Sequence, residues 1–266
     1  MHSRRPAVML RGIRRSGPAD GRRRERMDGR VAALWRYPVS SLGGERLEVC
    51  AVDATGLAGD RAWGLADRDS GETAFPESKR RWRPAPQIRA SSTGDGLRLD
   101  FPDGSSLPAE AAGDALAAHF GFPVQVRPHA TDAAETATAG PLKPRYERHP
   151  IHILTTASLA ALQAILPDSA IDVRRFRPNL VLDLPGAEGF VETDWIGRAV
   201  AIGDVRIRIV DPCVRCAFTT LAQGGLPLDR AVLMAVTRRN ATHLGVLCTV
   251  EAPGEIRVGD AATITA

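Results

Sequence analysis

Residues 205–209, Val-Arg-Ile-Arg-Ile, alternate apolar and cationic side chains. Only an extended chain sets Val205, Ile207 and Ile209 on one face and Arg206 and Arg208 on the other, so this segment is a strand with one buried and one wetted face. Strand-like runs bounded by turn residues recur along the chain: 31–39, 47–52, 61–67, VQVRP, IHILTT, LVLDL at 180–184, and GVLCTV with EIRV around Pro253-Gly254, which reads as a final hairpin. IRASS and LRLDF flank Thr93-Gly94-Asp95-Gly96, a further hairpin signal. Helical patterns are fewer. Residues 107–120 read as one, with Pro108 in the first turn and Gly121 just past the end. ASLAALQAIL follows IHILTT with Thr156 or Ser158 as its cap, and a short helix over 229–238 opens at Asp229. The parallel β-α-β rhythm is absent, so the expected fold class is α+β, mainly β, with a barrel-like body.

At 266 residues the chain is long enough for one large domain or two smaller ones. No apolar run approaches the length of a membrane span. The four cysteines are too few for a disulfide scaffold and fit a reducing compartment, so a cytoplasmic location is expected. The formal charge of +4 is unevenly placed: residues 1–30 hold ten arginines against Asp20, Glu25 and Asp28, which leaves residues 31–266 net acidic by three charges. General attraction to nucleic acid is therefore not expected of the body. Residues 1–30, broken by Pro6, Gly12, Gly17, Pro18 and Gly21 and lacking an apolar h-region, read as a disordered Arg-rich leader. Residues 129–146, rich in Ala, Thr and charged groups, read as a connector.

Chemistry concentrates in Asp211-Pro212-Cys213-Val214-Arg215-Cys216-Ala217-Phe218-Thr219-Thr220, just past the alternating strand. The residues leave several readings open. A dithiol redox motif would need a helix after the first Cys, and Phe218, Thr219 and Thr220 are poor helix formers. Half of a zinc site would need a second pair; Cys50 and Cys248 are isolated, and His149 with His152 is only a weak candidate for it. A single thiolate that binds a soft metal or acts as a nucleophile would profit from Arg215 beside it. Two buried thiols remain the bland alternative. Elsewhere Ser40-Ser41 end the first strand, Arg61 follows the Gly59 turn, and Arg174-Arg175-Phe176-Arg177-Pro178-Asn179 precede a strand. Hydroxyls, guanidinium forks and amides at strand ends suit a phosphate-bearing ligand. His149 reads as a surface histidine beside Pro150.

In their order YPVSS, GLAGDRAWGLAD, SKRRW, RFRPNLVLD, IGRAVAIGDVRIRIV, CVRCAFTT and PGEIRVGD, these segments resemble the MOSC family, the domain at the C-terminus of molybdenum cofactor sulfurases. The resemblance runs from about residue 31 to 266. It extends to the N-terminal β-barrel domain that accompanies MOSC in mitochondrial amidoxime-reducing proteins and in bacterial reductases of N-hydroxylated bases. It implies a smaller β-rich domain over 31–128 and a β-barrel-like MOSC domain over 129–266. It further implies a molybdenum cofactor (molybdopterin) whose metal is bound by one cysteine, matching Cys216. Arg215, Thr219 and Thr220 match the rest of the R-C-x-x-T-T pattern, Ser41 with neighbouring Ser40 the hydroxyl position of the YPV turn, Arg61 the GDR-x-W arginine, and Arg177 and Asn179 the RFRPN contacts. Thr156 and Ser158 fall in a strand-to-helix turn near the cofactor in relatives. The implied activity is two-electron reduction of a small N-hydroxylated substrate, with electrons from a separate flavin or iron–sulfur partner. The alternative is a carrier of the cofactor or of sulfur without turnover. Two departures stand out: the family usually has Lys-Ser where this chain has Ser40-Ser41, and Cys213 lies where relatives usually lack cysteine.

Overall fold

In a computed structural model describing residues 26–94, 96–130, 142–143 and 149–265, the alternation at 205–209 becomes the centre of a ten-residue strand, Val205–Val214. Val205, Ile207 and Ile209 are fully buried, while Arg206 is exposed and Arg208 part-exposed. This strand sits in an eight-stranded sheet ordered Leu180–Asp183, Ile151–Thr155, His243–Ala252, Val205–Val214, Ala199–Ile202, Ala261–Thr265, Met27–Arg36 and Glu45–Leu47. Met27–Arg36 also pairs with Leu180–Asp183. The first seven strands therefore close into a barrel and expose no long edge. Its interior is filled by side chains that alternate inward from every strand, among them Val31, Leu34, Ile153, Leu180, Val200, Ile207, Val246 and Ile264, all fully buried. Each such side chain contributes on the order of 1.5–3 kcal/mol of burial.

The first strand belongs to this barrel although a long stretch of chain separates it from the other six. Its residues Met27–Arg30 pair with Ala261–Ile264, so the segment expected as a leader is sheet from Met27 onward; residues 1–25 lie outside the described residues. Most of the connector expected over 129–146 lies outside them too.

A second core gathers around the fully buried Trp82, with Phe120 and Phe122 edge-on to it at 5.3 and 4.9 Å. Two small sheets and the helix Gly113–Phe120 cover it. The hairpin expected around 93–96 is present as Arg89–Thr93 paired with Gly96–Asp100. The helix expected over 107–120 starts only at Gly113, because Ser106–Pro108 is taken as a third strand of that sheet.

Three further expectations are corrected. One β-α-β unit exists: Ile151–Thr155 and Leu180–Asp183 are parallel neighbours joined through the helix Thr156–Ile165. The cap of that helix is Thr155, not Thr156 or Ser158: its hydroxyl accepts the Ser158 N–H at 3.1 Å. Gly254–Arg257 does not fold back on the preceding strand as a hairpin but pairs with Val49–Asp53. Asp229 does cap its helix, accepting the Ala231 N–H at 2.9 Å.

The strand His243–Ala252 meets the site end of the barrel through Gly245, whose φ is +76°. A Cβ there would collide with the His152 imidazole and the Ile153 carbonyl. Gly245→Ala combines a left-handed backbone penalty with overpacking, so it should cost roughly 2–4 kcal/mol. A thermal or denaturant melt should show this as a drop of several degrees in Tm.

Candidate functional site

The strand Met27–Arg36 runs into the turn Tyr37-Pro38-Val39-Ser40-Ser41, which a second turn holds in place. The Tyr37 N–H donates to the Asp60 carboxylate at 2.7 Å. Gly59, at φ +76°, gives the bend that places Arg61 just behind that carboxylate, and the two form an ion pair. The Arg61 guanidinium then reaches a third turn. Its Nη1 donates to Asn179 Oδ1 at 3.3 Å and its Nη2 to the Arg177 carbonyl at 3.2 Å. Arg177 in turn donates to the Leu42 carbonyl. Both guanidiniums lie over the ring of Tyr37, 5.3 Å from Arg61 and 4.1 Å from Arg177, at cation–π range. Burial pushes the Tyr37 hydroxyl well up from its ordinary pKa, and it has no hydrogen-bond partner among the described residues.

This network supports a strained backbone. Among the described residues five non-glycine positions have φ in the left-handed region, and three of them are Ser41 at +74°, Arg61 at +51° and Arg177 at +56°. All three line one cavity of about 190 Å³, with Asn179, His149, His152, Glu77, Cys213, Arg215 and Cys216. Such strain costs of order 1–3 kcal/mol per residue and persists where the surroundings over-determine it, which makes it a marker of functional sites.

The last wall is the end of Val205–Val214. Its pairing with His243–Ala252 shifts register at three places, the last between Pro212 and Val214, and Cys213 and Val214 at this end line the cavity. Cys213 is therefore part of the strand, not past it, and is buried; Cys216 is exposed. Arg215 Nη1 donates to Cys213 Sγ at 2.8 Å and Nη2 to the Phe176 carbonyl at 2.8 Å, while its buried Nε has no partner among the described residues. Burial raises the pKa of Cys213, but the charges of Arg215 and His152 and their hydrogen bonds outweigh it and bring the thiol down to about 6. Cys248, buried without such partners, is pushed up instead.

The expected site residues thus divide. Ser41, Arg61, Arg177, Asn179, Arg215 and Cys216 meet at the cavity. Ser40 is beside it, its buried hydroxyl unpartnered among the described residues. Thr219 and Thr220 do not line it. Their hydroxyls donate to the Cys216 and Ala217 carbonyls at 3.0 and 2.7 Å, locking the 3₁₀ turn Ala217–Thr220 that presents Cys216. Thr156 and Ser158 are not brought to the cavity either. The Ser158 hydroxyl donates to the buried Glu192 carboxylate at 2.6 Å and that of Thr156 to Asp183 at 3.1 Å. His149, expected at the surface, lines the cavity and is held 2.8 Å from Asp211. Tyr37 and Asp60 carried no chemical signal in the sequence; their role comes from packing and from a bond across 23 positions.

Among the described residues no three His, Cys, Asp or Glu side chains gather into a metal site, so the four-ligand zinc arrangement is not formed there. The donor set is of another kind: one exposed thiol, three guanidiniums, and buried polar atoms at Ser40 and Arg215 awaiting partners. It fits an anionic ligand whose metal needs one soft protein donor. The cavity is smaller than the usual range of about 300–1,000 Å³, so such a ligand would remain partly open at the Cys216 rim.

Residues 120–263 match the MOSC domain and residues 28–138 the MOSC N-terminal beta barrel domain. Human mitochondrial amidoxime-reducing component 1 is 24% identical over 96% of this chain and 89% of its own. Rat mitochondrial amidoxime reducing component 2 is 31% identical over 42% of this chain, a match spanning 35% of the rat protein. The crystal structure of the YuaD protein from Bacillus subtilis is similar with a TM-score of 0.49 at 13% identity, covering 90% of this chain and 97% of that one.

Cys213 should titrate as a thiolate at unusually low pH. Folding lowers its pKa from 9.0 to about 6. The stability it contributes is therefore complete above the ordinary thiol value and is lost as pH falls through the folded value. Thiolate absorbance of the parent minus Cys213→Ser, followed with pH, should rise near pH 6. A midpoint at the ordinary thiol value would refute the Arg215–thiolate pairing.

Proposed function

Because this chain belongs to the MOSC domain family, we propose that it is a molybdenum-cofactor-dependent oxidoreductase that reduces small N-hydroxylated compounds by two electrons, drawing them from a separate carrier. The observation that carries the reading is the exposed Cys216 at the rim of a cavity walled by Arg61, Arg177 and Arg215, where strained backbone is concentrated. The relatives' printed activity, amidoxime reduction, supplies the substrate class.

In this reading Cys216 is the protein ligand of the metal, the single soft sulfur donor at the cavity rim. Arg61 and Arg177 offer guanidinium forks to the anionic part of the cofactor, with the Ser41 hydroxyl beside them. Asn179 fixes Arg61, and Thr219 and Thr220 fix the turn that holds Cys216 in place. Arg215 is anchored at Cys213 and the Phe176 carbonyl, leaving its buried Nε for a ligand acceptor. When bound, the cofactor would supply the two-electron exchange, a step that protein side chains do not perform alone. No helix of the described residues is long and apolar enough to cross a membrane.

The test is purification from a host able to make the cofactor, followed by molybdenum and pterin analysis and by amidoxime reduction with reduced viologen as the electron source. Stoichiometric molybdenum and conversion of amidoxime to amidine and water are expected; protein free of molybdenum would overturn the assignment. Cys216→Ser should lose metal and turnover while its melt stays within about 1 °C of the parent, since an exposed side chain away from the core contributes little to stability. Arg61→Ala should weaken cofactor retention by roughly 10- to 150-fold, the equivalent of losing one charge-assisted contact worth about 1.5–3 kcal/mol. Retention is read as pterin remaining after dialysis.

A further inference from the structure

The three most exposed large apolar side chains among the described residues are Val214, Leu228 and Met234, at 64, 51 and 50%. All three flank the Cys216 segment. Val214 is on its cavity side. Leu228 and Met234 line a separate groove of about 380 Å³ behind it, whose floor includes Ala217 and Thr220 of the turn that presents Cys216. The groove thus shares the turn Ala217–Thr220 with the candidate site.

Cations rim this groove. Arg83 and Arg230 line it directly. Arg80 precedes Arg83 on the 3₁₀ turn anchored by buried Trp82. Arg238 follows Arg230 and Met234 at helical spacing on the exposed face of Arg230–Asn240. Among the described residues none of these four arginines pairs with a carboxylate, in contrast to Arg81, which is paired with Asp67 and stacked on Phe122. The nearby Asp229 carboxylate is engaged in capping the helix. This positive rim is not background, because residues 31–266 are net acidic. An exposed apolar strip bordered by unpaired cations suits a protein partner of opposite charge.

Resting on the reductase reading, we infer that this groove docks an acidic one-electron carrier protein that delivers electrons to the Cys216 site. Two successive dockings bring two electrons, which with two protons from solvent convert one amidoxime to an amidine and one water. A small interface suits such an encounter, since electron-transfer contacts bury little area and rely on charge steering for rate.

The experiment uses three acidic probes, a [2Fe–2S] ferredoxin, a flavodoxin and an acidic haem cytochrome, against the full chain and its Arg83→Glu/Arg230→Glu variant. At least one probe should bind the cofactor-free parent by calorimetry, with affinity falling steeply as salt rises. The same probe should drive amidoxime turnover in the loaded protein. In the variant, binding and probe-driven turnover should fall at least 10-fold while viologen-driven turnover and the melt stay at parent values. If no probe binds, or if the double reversal leaves binding and probe-driven turnover intact, the docking assignment is wrong. If viologen itself drives no turnover in the parent, the reductase reading has failed and the docking assignment fails with it.

Discussion

Arg61 ties the site together. Its guanidinium contacts Asp60 on its own turn, Asn179 Oδ1 and the Arg177 carbonyl, and Asp60 also accepts the Tyr37 N–H. Three turns far apart in sequence become one rigid frame. Each holds a non-glycine residue with left-handed backbone, and no turn alone would keep that conformation. The strain at Ser41, Arg61 and Arg177 is offset by the network and by the barrel strands on which the turns stand. A buried polar network of this kind is favourable only when nearly complete. Among the described residues Tyr37 Oη, Ser40 Oγ, His149 Nδ1 and Arg215 Nε, at or beside the cavity, stay unpartnered, and His149 and Arg215 line it.

Much of the frame was legible in the sequence because it follows from local rules. The alternation at 205–209, the turn at 93–96, the Asp229 cap and the left-handed Gly121 after its helix, at φ +78°, all depend on a few neighbouring residues. What was not legible depends on partners elsewhere. Pro108 looks like a first-turn helix residue, yet pairing with Arg98 makes it sheet. Ser158 looks like a cap, yet the buried Glu192 carboxylate claims its hydroxyl and the cap falls on Thr155. Pro253-Gly254 looks like a hairpin turn, yet Val49–Asp53 offers a better edge. Through the resemblance of their motifs Ser41, Arg61, Arg177, Asn179, Arg215 and Cys216 were legible as a group, and the fold brings them to one cavity, whereas Thr156, Ser158, Thr219 and Thr220 do not line it. Its positioning groups, Tyr37, Asp60, His149 and His152, were not legible, since their roles exist only once the turns meet.

The arginines show the same distinction. Residues 31–266 carry 23 arginines and two lysines, and the structure does not use the arginines alike. Arg174 is spent on Asp172 and the Gly224 carbonyl. Arg175 is fully buried, its pKa lowered by burial, and its guanidinium binds the carbonyls of Ala170, Leu221 and Pro227. Arg177, two residues on, faces the cavity. One short run, Arg174-Arg175-Phe176-Arg177, thus supplies a surface pair, a structural brace and a ligand-facing fork. The planar guanidinium can bridge several carbonyls where an ammonium would bind as a point charge, which suits this division of labour.

The two neighbouring cysteines are separated by the same logic. Cys213 ends an inward-facing strand position, so it is buried, and only the charge of Arg215 and His152 makes a thiolate tolerable there. That thiolate fixes one arm of Arg215 while the Phe176 carbonyl fixes the other. Cys216 lies past the strand end, exposed at the cavity rim on a turn closed by two threonine hydroxyls. A soft metal that needs one protein donor can reach Cys216 without disturbing the barrel. Cys213 also lines the cavity, but its sulfur is engaged by Arg215, which a metal would have to displace. On the proposed reading the exposed Cys216 is therefore the ligand, and Cys213 serves it indirectly by holding the adjacent guanidinium in place.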